Sequence, residues 1–188
     1  MIDKLQTLHG QLMDALERAA GAWFLGLMAR LVFASVLLVY FVNSAATKVG
    51  SGFPGVLMAK IGAYAQMLPP IAEAAGYDPD KIAFMPWGLL VHTGAYLEFL
   101  LPVMILLGLF TRLASLGMIG FIAVMTFVDI QFHGVDEKTV GGFFDRFPDA
   151  VISDQRLLWL FLLVYLVLRG AGSFSADGLL RRFSSAVR

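Results

Sequence analysis

The sequence predicts an all-α integral membrane four-helix bundle, with an N-terminal amphipathic helix and an interfacial helix between spans one and two. Three observations point there. Of the 188 residues 59% are hydrophobic and 15% charged, whereas soluble domains sit near 45–50% apolar and ~25% charged. Mean hydropathy is +0.77. Apolar runs long enough to cross a bilayer, roughly 17–25 residues each, recur along the chain. Residues 1–188 suit one membrane domain and leave no length for a sizeable soluble partner domain.

Residues 1–20 read as an amphipathic leader. Ile2, Leu5, Leu8, Leu12, Met13 and Leu16 recur at three- and four-residue steps, with Lys4, Gln11, Asp14 and Arg18 on other faces. A plain solvated leader is the alternative. A signal peptide is not expected, because Asp3, Asp14 and Glu17 interrupt the segment and no compact apolar core precedes a cleavage site.

Span one is placed at about residues 22–43, broken by Arg30. The connection that follows holds FPGVLMAKIGAYAQMLPPIAEAAGYDPD, which Lys60 and Pro69-Pro70 punctuate too heavily for a span; an interfacial helix is expected. Span two is placed at about 87–107 and span three at about 112–132. Between them Gly108 can take the left-handed position that ends a helix, and Thr111 can cap the next.

The acidic loop HGVDEKTVGGFFDRFPDAVISDQ leads to span four, at about 155–170. Its strictly apolar part, Leu157 to Leu168, is only about 18 Å long, so Arg156 and Arg169 are expected to complete it by snorkelling to either surface. The tail, 174–188, reads as a short amphipathic helix capped by Ser175 after a glycine stop.

Four spans put both termini on one side. Lys4, Arg18, Arg112, Arg169, Arg181, Arg182 and Arg188 fall there, against Lys48, Lys60, Lys81, Lys138, Arg146 and Arg156 opposite. The compact clusters near Arg112 and Arg181 weigh more than this near-balance and predict cytoplasmic N- and C-termini.

Composition also excludes chemistry. With no cysteine, the chain has no disulfide exchange, thiolate metal site or cysteine nucleophile. A formal net charge of zero offers no basic footprint for nucleic acid. Histidines at 9, 92 and 133 do not supply two axial ligands at one depth, and no haem or flavin motif stands out. The isolated chain is therefore not expected to carry electrons by itself, its composition leans away from an enzyme without deciding the question, and no intrinsic cofactor is predicted.

Charges inside the membrane are the candidate site. Glu98 falls roughly 15 Å from either end of span two, and Arg30 roughly 11 Å into span one. A lone charge there costs at least ~2.5–3.5 kcal/mol, so an Arg30–Glu98 ion pair is expected. Pro102 lacks the amide that would bond the Glu98 carbonyl, which adds a freed acceptor and a kink at that level. Arg30, Ala34, Leu37, Phe41, Ser44 and Lys48 form a stripe on span one, flanked by Asn43. Arg30, Asn43, Lys48, Glu98 and Pro102 thus make the predicted polar core. It is either a pair that fixes helix register or a pocket that handles a ligand or proton. His92 lies on another face of span two and reads as a satisfied interfacial histidine. Asp129 and His133, one turn apart, could bind a divalent metal with Asp136 or Glu137.

Taken in order, these pieces resemble the DoxX family of small four-helix bacterial membrane proteins. The matching pieces are Arg30 with the downstream NSAATK, the Glu98 of GAYLEFLLPVMILLG, the GLFTR that closes span two, and GAGSFSAD after span four. The resemblance implies a bacterial inner-membrane bundle in which Arg30, Lys48, Glu98 and Arg112 are recurrent polar positions. Family members are associated with quinone-linked sulfur oxidation, membrane oxidoreductase complexes for oxidative stress, and operons handling metals or modified peptides. It therefore implies an accessory subunit of a redox or stress-response system, in the lipid bilayer beside a membrane oxidoreductase or operon partner protein. A quinone- or lipid-binding pocket around Arg30 and Glu98 is the finer expectation. The alternatives are a non-catalytic small-molecule binder or transporter, and a structural assembly factor with the phenylalanines of GGFFDRFP as its partner surface. Four spans without visible repeats favour binding over transport.

Overall fold

A computed structural model describes residues 2–186. Regular structure among them is helical, apart from an isolated bridge between Val49 and Ala59. Helix α1 (Ile2–Phe33) carries both the leader and the start of span one, divided at Gly21, where φ is 41° and ψ −158°. A π-helical turn at Ala34–Leu38 joins it to α2 (Val39–Lys48), so span one covers Trp23–Lys48.

The connection folds into α3 (Ile61–Met67) and α4 (Pro69–Ala74), which bury Ala63, Tyr64 and Ala72 against Val91 of the second span. Span two (Phe84–Leu107) contains α5 (Leu89–Leu107), which runs unbroken through Pro102. Span three is α6 (Thr111–Gln131). A short α7 (Glu137–Val140) follows, then a π-helical turn at Val151–Arg156 and α8 (Leu157–Arg169), which together form span four. The tail helix is α9 (Ala176–Ala186), capped by the Ser175 hydroxyl accepting from Gly178 N–H at 3.0 Å.

Three boundaries differ from expectation by more than a residue. Span one runs to Lys48 rather than 43, span two starts at Phe84 rather than 87, and span four starts at Val151 rather than 155. The extension of span one ends on a cation, Lys48, that is buried inside the bundle, and that of span four leads into Arg156, a buried cation already within the expected span. Hydropathy stops a span at its first polar group, whereas the helix continues when that group finds a partner within.

Each span packs on the next, and span one closes the ring against span four. Phe33, Leu37, Phe41, Ile105, Met118, Ile122, Leu163 and Leu166 fill the interior. Lipid tails are as apolar as these side chains, so the core stabilises by close packing rather than by excluding water. Gly26 shows how close that packing is. A Cβ there would stand 2.7 Å from the Ala171 carbonyl, so only glycine lets span one meet the exit of span four.

The two ends of the bundle differ in kind. On the side carrying the leader and tail, the span two–three turn uses Gly108 at φ 70°, as predicted. The cap of α6 comes from elsewhere: Asp177 accepts Phe110 N–H at 2.7 Å and Thr111 N–H at 2.9 Å. The Thr111 side chain is fully buried and caps nothing. Opposite, on the loop side, α3 covers the spans, and Phe143, Phe144 and Phe147 of the acidic loop stand exposed.

Candidate functional site

Lys48 is the last residue of α2, and Ser44 lies one turn before it on the same face. Nζ of Lys48 is 2.6 Å from Oε2 of Glu98 on α5, with 4% and 3% of the two side chains exposed. Nζ also donates to Ser44 Oγ at 2.7 Å. The ammonium meets Oε2 by proximity but without hydrogen-bond alignment, which leaves Oε2 a buried acceptor with no directional donor. A buried pair of this kind roughly balances desolvation against attraction, so it is weak evidence for a purely stabilising role.

The expected Arg30–Glu98 pair does not form. Arg30 is buried, but its Nη1 donates to the Leu106 carbonyl at 2.8 Å and its Nη2 to the Phe174 carbonyl. The reason is depth, since Arg30 lies level with Leu106, eight residues or about 12 Å along α5 from Glu98. Lys48 lies eighteen positions beyond Arg30, about 27 Å along a helix, and it is Lys48 that reaches Glu98, while Arg30 ties the spans to the tail. Asn43 is exposed on the outer face of span one, and Pro102 is buried in the core away from the ion pair's cavity. Of the predicted polar core, then, the structure joins only Lys48 and Glu98.

Those two line a cavity of about 460 Å3 bounded by spans one, two and three and roofed by Gln66, Met67 and Leu68. Its wall is mostly apolar, with Tyr40, Ser44, Lys48, Glu98 and Asp129 as polar points. Gly94, Gly117 and Gly120 leave room along it; a Cβ on Gly120 would meet nothing within 4 Å. The exposed lining residues are Tyr40, Leu90, Leu97, Gly117, Gly120 and Val124, all within spans one to three, together with Gln66 of the roof. The mouth therefore opens sideways, where a membrane-spanning bundle meets lipid.

A second charged pair flanks this cavity. Arg156 Nη2 donates to Asp129 Oδ2 at 2.5 Å, and Nη1 to Thr126 Oγ1 at 2.7 Å. Arg156 does not snorkel to the surface: it is 5% exposed, because span three supplies an acid and a hydroxyl one turn apart. The spacing of Thr126 and Asp129 was the available sign, since an acid inside a span needs a cation from a neighbour.

The expected metal trio is dispersed. Asp129 is held by Arg156, His133 Nε2 bonds the Gln66 carbonyl at 3.0 Å, and Asp136 accepts Thr139 N–H at 2.7 Å. Hydrogen bonds from the Thr139 side chain and backbone hold the Asp136 carboxyl below the usual carboxylate range. Among the described residues, no three His, Cys, Asp or Glu side chains could hold a metal ion. His92 is satisfied, as expected: its Nε2 accepts from Ala59 N–H at 3.1 Å, so Nδ1 carries the proton shared with the Gly88 carbonyl at 2.7 Å. That bridge pins the connection to span two beside the cavity roof.

The family model for DoxX matches residues 25–131, more than half of the chain. The match takes in all but the first two residues of span one, the whole of spans two and three and every span residue that lines the cavity, and it stops before span four and Arg156. Comparison with curated proteins and with solved structures gives no match.

Proposed function

This chain belongs to the DoxX family, and from that premise we propose that it is a non-catalytic accessory subunit of a redox or stress-response system in the bacterial inner membrane. Its task on this reading is to hold a quinone- or lipid-type amphiphile in the cavity beside Lys48 and Glu98. One observation carries the proposal: a buried charged pair forms part of the wall of a cavity of about 460 Å3 whose mouth faces lipid. Small-molecule sites typically enclose roughly 300–1,000 Å3 behind a mainly apolar wall with a few placed polar groups. Here Lys48 can donate to a carbonyl or phosphate, and Glu98 Oε2 has acceptor capacity for a hydroxyl.

The accessory role draws support from a sequence with no cysteine and from the exposed Phe143, Phe144 and Phe147 on the loop side, a surface for a partner protein. Purification in mild detergent followed by native mass spectrometry tests the reading. Wild-type protein is expected to retain an amphiphile, and Glu98→Gln, which keeps the shape and removes the charge, to lose at least about tenfold of it. A clean, empty wild-type protein, or equal retention by a folded Glu98→Gln variant, would overturn it.

A further inference from the structure

The strongest unassigned feature lies at the other end of the bundle and does not rest on the loop-side cavity. A recess of about 390 Å3 opens where the span two–three turn meets the tail, lined by Phe110, Arg112, Leu113, Asp177, Leu180 and Arg181. Both arginines are exposed. Arg112 Nε stands 3.5 Å from where a Cβ on Gly170 would lie, so its side chain runs along the exit of span four.

Charge here is one-sided. The turn at 108–112 and the stretch 169–186 carry Arg112, Arg169, Arg181 and Arg182 against one acid, Asp177. Both oxygens of that acid are committed to the Phe110 and Thr111 amides, where they offset the positive end of α6. Neither Arg112 nor Arg181 makes an ion pair among the described residues. Two exposed arginines therefore line one recess whose single acid, Asp177, has both oxygens turned to backbone amides.

The surroundings of the recess are apolar. Leu179, Leu180 and Phe183 of α9 are 54%, 52% and 63% exposed, and Phe110 and Leu113 beside them 58% and 68%. Leu113 belongs to span three, so this surface continues the lipid-facing side of the bundle. Paired arginines recognise phosphate by forked hydrogen bonds, and basic recesses at the ends of spans suit anionic headgroups. We propose that this recess binds the phosphate headgroup of an anionic phospholipid from the surrounding bilayer. Arg112 and Arg181 hold the phosphate, and the apolar face of α9 rests in the interface.

Native mass spectrometry of the full chain, titrated with phosphatidylglycerol or phosphatidylethanolamine, tests this. Wild-type protein is expected to prefer the anionic lipid, with the preference shrinking in high salt. Each arginine removed should weaken binding about fivefold, so Arg112→Gln/Arg181→Gln should weaken it about 25-fold. Both side chains are exposed, and an unchanged thermal midpoint in lipid-free detergent checks that the double variant folds. If it does not, Arg112→Lys/Arg181→Lys keeps the charge and is expected to keep the anionic preference at reduced strength. Equal retention of the two lipids by wild-type protein would overturn the proposal, as would an unchanged preference in the folded glutamine variant. Displacement of the bound lipid by inorganic phosphate alone would also overturn it, by assigning the recess to a free anion.

Discussion

Lys48 ends span one and Glu98 lies well inside span two, yet Nζ and Oε2 stand 2.6 Å apart where solvent scarcely reaches. Removing either partner leaves the other charged, buried and unpaired, a loss of about 3–5 kcal/mol. Lys48→Met and Glu98→Leu are each expected to lower the thermal midpoint in detergent. The double variant should recover most of the loss, because an apolar pair of similar volume carries no desolvation cost. Singles that melt like the wild type would show that the pair contributes nothing to holding spans one and two together.

The Asp129–Arg156 pair should respond asymmetrically. The arginine side chain is 7% exposed and the aspartate 24%. Asp129→Ala strands a buried guanidinium with only the Thr126 hydroxyl as side-chain partner, at a cost toward the upper end of about 3–5 kcal/mol. Arg156→Met strands a carboxylate that water can still reach, and should cost less. Thermal midpoints of the two single variants decide the order. The reverse order would mean that Arg156 finds another partner once Asp129 is gone.

The four spans were legible because a bilayer demands long apolar helices, and composition alone reports those. Pairing was harder to read. Counting from the start of span one puts Arg30 within a few Å of Glu98 in depth, but Arg30 meets α5 at Leu106, eight residues or about 12 Å along the helix from Glu98, and Lys48 reaches Glu98 instead. Asn43 shares the polarity of its neighbours in sequence but falls on the opposite helix face. The cap on α6 lay beyond local reading, since Asp177 is 66 residues from the amide of Thr111. Local patterns give a helix its length and face, whereas contacts between distant elements depend on register, which one residue of error overturns.

Asp177 joins the tail to the span two–three turn, and its loss should be felt at both. Asp177→Ala removes acceptors from two amides, a capping loss of about 1–2 kcal/mol. The remaining backbone bond, Asp177 N–H to the Gly108 carbonyl at 2.8 Å, then holds the tail with less help. A lower thermal midpoint and faster tryptic cleavage at Arg181 and Arg182 are expected, with Asp177→Asn intermediate because it keeps one acceptor oxygen. Cleavage at the wild-type rate would show that the carboxylate does not anchor the tail.

Gly120 offers a way to close the cavity without touching a charge. It lines the wall on span three, and a side chain grown from it enters open space. Gly120→Phe replaces a poor helix former by a better one, a gain of a few tenths of a kcal/mol within a helix, and places an aromatic ring in the mouth. The variant should fold at least as well as the wild type, keep the Lys48–Glu98 pair, and lose most of its bound amphiphile in native mass spectra. Gly94 is a less direct choice, because a Cβ there would stand 3.0 Å from Met67 Cε of the roof and that side chain would have to shift. Undiminished retention in Gly120→Phe would mean that the amphiphile enters by another route or sits elsewhere, and the lateral mouth would lose its role.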